Sequence, residues 1–280
     1  MSGQTRRLSA RTSVRRFLEM KREGQPIVAM TAYDVLFARV LQEAGVDLIL
    51  VGDSLGQVVL GYDSTLPVTL DEMIHHARAV KRGAPDTFVV LDMPFMSYQV
   101  SVEDALRNGG RALKEAGVEA VKLEGGHART CEAIRALVAA GVPVMGHLGL
   151  TPQSVHALGG YRVQGRSDDE ADRIRAEAKA LEEAGVFGMV LELLPAPLAR
   201  EISEALTVPT VGIGAGAGCD GQVLVLYDAL GLNPGFTPKF LKRFADLHGA
   251  SLEAVRTYGR EVREGVYPGP EHSFDEGKGR

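Results

Sequence analysis

The chain has 280 residues, of which 45% are hydrophobic and 24% charged, enough apolar material for one large core. A formal net charge of −5 gives no electrostatic case for nucleic acid or an anionic membrane as partner. The two cysteines, Cys131 and Cys219, are far apart in sequence, which excludes a disulfide framework or a zinc knuckle and suits a reducing compartment, so the cytoplasm is the expected location.

In chain order, the first feature is a run of arginines at 6, 7, 11, 15 and 16 with no acidic residue before Glu19. Amphipathic targeting peptides have that composition. Val14, Phe17 and Leu18 instead fall at helical spacing, and the preferred reading is a helix closing the bottom of a barrel. No apolar run approaches the roughly 20 residues that a membrane helix needs.

Eight short runs rich in Val, Ile and Leu then recur at 27–32, 47–51, 88–91, 120–123, 143–146, 189–191, 210–213 and 222–226. Nearly continuous hydrophobicity in so few residues predicts strands of a parallel sheet, covered on both faces. Amphipathic stretches at 34–44, 69–82, 102–116, 133–140 and 169–184 predict helices between them. Each is followed by a glycine (45, 83, 117, 141 and 185), expected to supply the left-handed residue that ends a helix. Thr69 with Glu72 three residues on predicts a capping box. The alternation implies a single-domain (β/α)8 TIM barrel over 1–264 with a polar tail at 265–280, an open doubly wound sheet being the alternative. The longest irregular connection, 149–169, falls on the side of the barrel where active sites are built.

The "GIGAGAG" run at 212–218 formally matches a dinucleotide fingerprint from Gly212 to Ala217. That site needs a helix directly behind the glycines, whereas Asp220-Gly221 and another apolar run follow. A turn that lets backbone approach a ligand or a packed helix is the better reading.

Chemistry collects where the apolar runs end: Asp53 and Ser54 after the second, Asp92 after the third, Lys122 and Glu124 on the fourth, His147 on the fifth and Glu192 on the sixth. Strand side chains alternate faces, so Val121 and Leu123 point to the helices while Lys122 and Glu124 point to the barrel axis. Converging carboxylates lose hydration and repel, so they must be protonated, paired or ligated. Lys122 offsets only one of them. A divalent cation on Asp53, Asp92 and Glu124 answers the remainder, and an all-oxygen donor set favours Mg²⁺ over Zn²⁺. Simpler roles stay open for each residue: an aspartate after a strand as a helix cap, Lys122–Glu124 as an interior ion pair, His147 as a core histidine bonded to backbone.

The segments "MTAYD" (30–34), "VGDSLG" (51–56), "GYDSTLPVTLDEM" (61–73), "DMPFMSY" (92–98), "VKLEGG" (121–126), "GHLGLTPQSV" (146–155), "GGYRVQGR" (159–166) and "VGIGAG" (211–216) occur in this order. Taken together, the chain resembles the ketopantoate hydroxymethyltransferase family over nearly its whole length. The resemblance implies a (β/α)8 barrel, Mg²⁺, 5,10-methylenetetrahydrofolate as one-carbon donor, 3-methyl-2-oxobutanoate as acceptor and a homodecamer of stacked pentamers. It implies Asp53 and Asp92 as metal ligands and Glu124 as a direct or water-bridged one. Asp53, Ser54, Asp92 and Lys122 would contact the keto acid, and Glu192 would accept its proton. Rival readings are a Mg²⁺-dependent keto-acid lyase of the phosphoenolpyruvate/isocitrate-lyase type, a phosphate-binding barrel using the 212–216 glycines, and a non-catalytic scaffold.

Overall fold

Strands rich in branched residues and buried on both faces cannot leave an edge exposed, and here they close in chain order. The strands are β1 (Ile27–Thr31), β2 (Leu48–Val51), β3 (Phe88–Asp92), β4 (Ala120–Glu124), β5 (Val144–Gly149), β6 (Gly188–Glu192), β7 (Thr210–Ile213) and β8 (Gly221–Leu224). Every neighbouring pair is parallel, and β8 returns to β1 to complete the barrel. The computed structural model describes residues 13–157 and 159–274; the targeting reading rests partly on arginines 6, 7 and 11, which lie outside the described residues. The chain divides into two compact units, the first ending at Leu226 and the second beginning at Tyr227.

In the first unit the helices are α1 (Val14–Glu23), α2 (Val35–Glu43), α3 (Leu55–Val58), α4 (Leu70–Gly83), α5 (Val102–Arg111), α6 (Ala128–Ala139), α7 (Asp168–Ala184) and α8 (Ala196–Ala205). The expected capping box forms: the Thr69 hydroxyl accepts from Glu72 N, and the Glu72 carboxylate accepts from Thr69 N. Gly45, Gly117, Gly141 and Gly185 adopt the left-handed conformation expected of helix-ending glycines. Gly83 does not. It is the last residue of α4, and a Cβ there would lie 2.3 Å from the Val35 carbonyl, so its role is close helix–helix approach. The helix expected at 102–116 changes character at Ala112, where a wider turn carries it to Ala116. Between β7 and β8 the glycine run makes a helix-free connection, with Gly216 and Gly218 packed onto Ala196 and Arg200 of α8.

The barrel interior grades from apolar to charged. At the lower end Phe17 and Met20 of α1 plug the opening, Phe17 meeting Phe88 edge-on at 5.1 Å and stacking on Phe187 at 6.1 Å. Above them Ala29, Leu50, Val90, Ala120, Met145, Val190, Val211 and Val223 fill the middle. Alternation then carries Asp92, Lys122, Glu124 and His147 into the top of the same interior, all buried.

In the second unit, α9 (Leu226–Ala229) crosses the boundary and α10 runs Leu247–Glu264. Asp246 caps the start of α10 by accepting from Gly249 N, and Gly265 ends it in the left-handed conformation, where the polar tail was expected to begin. No residue of α10 is buried. No helix among the described residues is long and apolar enough to cross a membrane.

Candidate active site at the barrel mouth

The register sets the site. Asp92 pairs with Lys122 across β3 and β4, Glu124 with His147 across β4 and β5, and Gly149 with Glu192 across β5 and β6. Three strand pairs therefore carry the charged residues round one arc of the rim. Asp53 joins them from the bend after β2, its backbone N–H donating to Asp92 Oδ2 at 3.0 Å. Gly52 makes room, since a Cβ there would stand 2.7 Å from Ser54 Oγ. Ser54 hydrogen-bonds Tyr33 Oη at 2.9 Å.

These side chains do not fill the simpler roles. A capping aspartate looks like Asp34, which accepts from Leu36 N and Phe37 N at the start of α2. Asp53 and Asp92 make no such bonds; the residue preceding α3 is Ser54, without a capping bond. Lys122 lies 2.8 Å from Asp92 Oδ1 but 3.9 Å from Glu124 Oε1, so its nearer partner is on β3. His147 faces Lys122 Nζ at 3.1 Å, Glu124 Oε1 at 3.5 Å and Glu192 Oε2 at 3.3 Å rather than backbone.

Electrostatics follows from three buried carboxyls, Asp53, Asp92 and Glu124, around one lysine. Burial above all, then the charges of Asp92 and Glu124, pushes Asp53 well above the ordinary carboxyl range. Asp92 is also raised by burial, against the pull of Lys122. For Glu124 burial is outweighed by His147 and Lys122, and its pKa is lowered. Burial and Lys122 act to lower His147, yet contacts with Glu124 and Glu192 carry it upward. Burial also works against the Lys122 ammonium, but Asp92, Glu124 and Asp53 outweigh it, so Lys122 stays charged.

Two neutral residues hold the acids in place, and a search for charged strand ends passes over both. Gln153, in the short 3-10 turn Pro152–Ser154, donates from its side chain to Asp53 Oδ2 and to the Met93 carbonyl, each at 2.9 Å. Its backbone N–H donates to Glu124 Oε2 at 3.0 Å. Tyr98 Oη donates to Gln153 Oε1 at 3.0 Å and accepts from Glu124 N at 3.1 Å. Both belong to motifs quoted for the resemblance, which was the available signal. Farther along the same connection, Gln164 N donates to the carbonyl of Leu193, next to Glu192, at 2.9 Å, which ties the long loop to the mouth.

The donor set fits a hard cation. Asp92 Oδ1 and Glu124 Oε1 are buried without an aligned hydrogen-bond partner, although each has a charged group within 4 Å. Buried polar atoms left unmatched are costly, on the order of 1–3 kcal/mol each and more for charged ones. Among the described residues no three Asp, Glu, His or Cys side chains form a ready-made cage. Mg²⁺ does not require one, because it is commonly held by one or two carboxylates and completes its octahedron with water and substrate oxygens.

The profile of the ketopantoate hydroxymethyltransferase family matches residues 11–270. The chain is 58% identical over 264 residues to a 3-methyl-2-oxobutanoate hydroxymethyltransferase of Heliobacterium modesticaldum, covering 93% of this chain and 95% of that protein. It is 56% identical over 274 residues to one from Syntrophus aciditrophicus, covering 98% and 100%. Among solved structures, phosphonopyruvate hydrolase in complex with oxalate and Mg²⁺ superposes with a TM-score of 0.60 at 13% identity, covering 92% of each chain. 2,3-Dimethylmalate lyase, of the PEP mutase/isocitrate lyase superfamily, superposes with a TM-score of 0.58 at 18% identity, covering 95% of this chain and 92% of that one. The last two likenesses show a shared barrel, whereas the first three establish that the chain is an enzyme belonging to the ketopantoate hydroxymethyltransferase family.

Proposed function

We propose that the chain transfers a hydroxymethyl group from 5,10-methylenetetrahydrofolate to 3-methyl-2-oxobutanoate, forming ketopantoate through an enolate. The supporting observation is the imbalance at the mouth, where the buried carboxyls of Asp53, Asp92 and Glu124 surround the single ammonium of Lys122. Asp53 and Asp92 would hold Mg²⁺, with Glu124 a direct or water-bridged ligand. The ion, when bound, supplies Lewis-acid stabilisation of the negative charge that develops on the keto acid.

The protein's own groups do the rest. Lys122, kept cationic by its acidic neighbours, offsets charge on the substrate oxygens as the proton leaves. Ser54, hydrogen-bonded to Tyr33, would donate to the keto acid. Glu192 at the end of β6, its side chain 17% exposed, takes the proton from C3. The carbanionic carbon forms a bond to the donor's methylene carbon as the first of its two carbon–nitrogen bonds breaks; water then displaces the second nitrogen, its oxygen becoming the hydroxyl, and tetrahydrofolate leaves with both nitrogens protonated. A keto-acid lyase of the same barrel type would often use a cysteine as acid. Here Cys131 is buried in α6 with its thiol on the Gly126 carbonyl, and Cys219 follows the glycine run between β7 and β8.

The test is exchange of the substrate's C3 proton with deuterated solvent. Glu192→Gln should retain Mg²⁺ and keto-acid binding yet lose exchange by about two orders of magnitude or more. Exchange at the wild-type rate would remove Glu192 from the role. The homodecamer and the cytoplasmic location belong to the same reading, and light scattering of the purified chain checks the first.

A further inference from the structure

His147 is 2% exposed, and the mechanism above does not use it. Register places its ring between Glu124 on one side and Val190, two residues before Glu192, on the other. Nδ1 lies 3.1 Å from Lys122 Nζ and 3.5 Å from Glu124 Oε1. Nε2 lies 3.3 Å from Glu192 Oε2 and lacks an aligned hydrogen-bond partner.

An ammonium has three donors and no lone pair. Beside Lys122, a neutral imidazole must therefore turn its Nδ1 lone pair to the lysine and carry its hydrogen on Nε2. A protonated imidazole carries hydrogens on both nitrogens, with Nδ1 toward Glu124. Either form presents an N–H to Glu192, and only the neutral Nδ1–H tautomer is excluded.

The backbone beneath Glu192 is already fixed. A Cβ on Gly149 would lie 2.0 Å from the Glu192 carbonyl, which also accepts from Leu150 N at 2.9 Å. Leu193 sits in the left-handed region at φ 47°, and its N–H donates to the Ile213 carbonyl at 2.9 Å. Such a conformation in a branched residue persists only where its surroundings enforce it. What stays free is the Glu192 side chain, and the group at its tip is His147 Nε2.

We propose that His147 is a positioning residue for Glu192: its Nε2–H holds one carboxylate oxygen and turns the other toward the substrate carbon. At 3.3 Å the two atoms are within reach of a hydrogen bond, which a bound keto acid would align by fixing the carboxylate. This inference rests on the reading of Glu192 as proton acceptor.

The experiment measures C3 proton exchange and keto-acid affinity, with Mg²⁺ present, in Glu192→Gln, His147→Ala, His147→Asn and His147→Gln. A glutamine amide extends to about the position of Nε2, while an asparagine amide reaches only as far as Nδ1. Ala and Asn should slow exchange about tenfold or more, with keto-acid affinity within about twofold of wild type, and Gln should recover most of the rate. Wild-type exchange in His147→Ala, with exchange lost in Glu192→Gln, overturns the positioning role and leaves the base reading intact. Retained exchange in Glu192→Gln overturns the base reading itself, and this proposal with it. Recovery by Asn but not Gln assigns the histidine to Lys122 and also overturns it. Should the variants fail to fold, nitrogen NMR of the wild-type imidazole decides: a hydrogen on Nε2 supports the proposal, and the Nδ1–H tautomer refutes it.

Discussion

The two ends of the barrel are built from the same eight strands on opposite principles. At the lower end each group meets its match. Phe17, Phe88 and Phe187 pack ring on ring. Lys21 joins Asp220 at 2.8 Å and the Ser203 carbonyl at 2.7 Å, and Asp220 also accepts from Thr210 N at 2.8 Å. At the mouth Asp53, Asp92 and Glu124 share one lysine. Three of the four buried side-chain atoms lacking a hydrogen-bond partner, among the described residues, lie there; the fourth is Thr65 Oγ1. Matched packing gathers at the lower end, and polar groups without aligned partners are kept at the mouth, where a ligand would complete them.

The largest effect that would break this comparison is expected from the plug. Phe17→Ala removes a ring that is 1% exposed and leaves a cavity beneath the strands. It should cost about 3–5 kcal/mol, read from denaturant midpoints at fixed protein concentration, with kcat per folded molecule unchanged. A fall in kcat at full folding would show that the lower end governs the mouth and that the division is false.

The strands were legible because burial on both faces leaves an almost unbroken apolar run, and the eight runs match the eight strands to within three residues at either end. The charged site was legible for a related reason: an acid or lysine at the inward position of such a strand has no other place to point. Gln153 and Tyr98 were not legible, because an amide or phenol in a loop shows its role only when the fold brings it to Asp53 and Glu124, which lie 100 and 29 residues from Gln153 in sequence. Gly83 misled for the opposite reason. A glycine after a helical stretch reads as a terminator, while its actual neighbour, the Val35 carbonyl, is distant in sequence.

A middle-sized effect should come from Gln153→Leu, which deletes the side-chain donor to Asp53 Oδ2 and the Met93 carbonyl but keeps the backbone donor to Glu124. The loss should be about 1–3 kcal/mol of stability, with weaker Mg²⁺ binding by calorimetry. Unchanged Mg²⁺ affinity would mean that the acids hold their places without this glutamine, and the mouth would need no neutral scaffold.

The smallest effect has the opposite sign. Asp53 is 4% exposed, and burial, with Asp92 and Glu124 beside it, raises its pKa well above the usual carboxyl value. The folded chain therefore keeps that proton to a higher pH than the unfolded chain does. Between the two values the native state binds more protons, so metal-free stability falls as pH rises through the window, and the whole penalty is present above it. Asp53→Asn keeps an oxygen for Gln153 but carries no charge. In chelator it should be more stable than wild type near neutral pH by about 1 kcal/mol, with a flatter slope as pH rises above the ordinary carboxyl range, while its Mg²⁺ affinity drops. Parallel slopes for the two proteins would mean that the Asp53 carboxylate is hydrated like any surface acid. The mouth would then need no cation to be tolerable, and its contrast with the sealed lower end would reduce to shape.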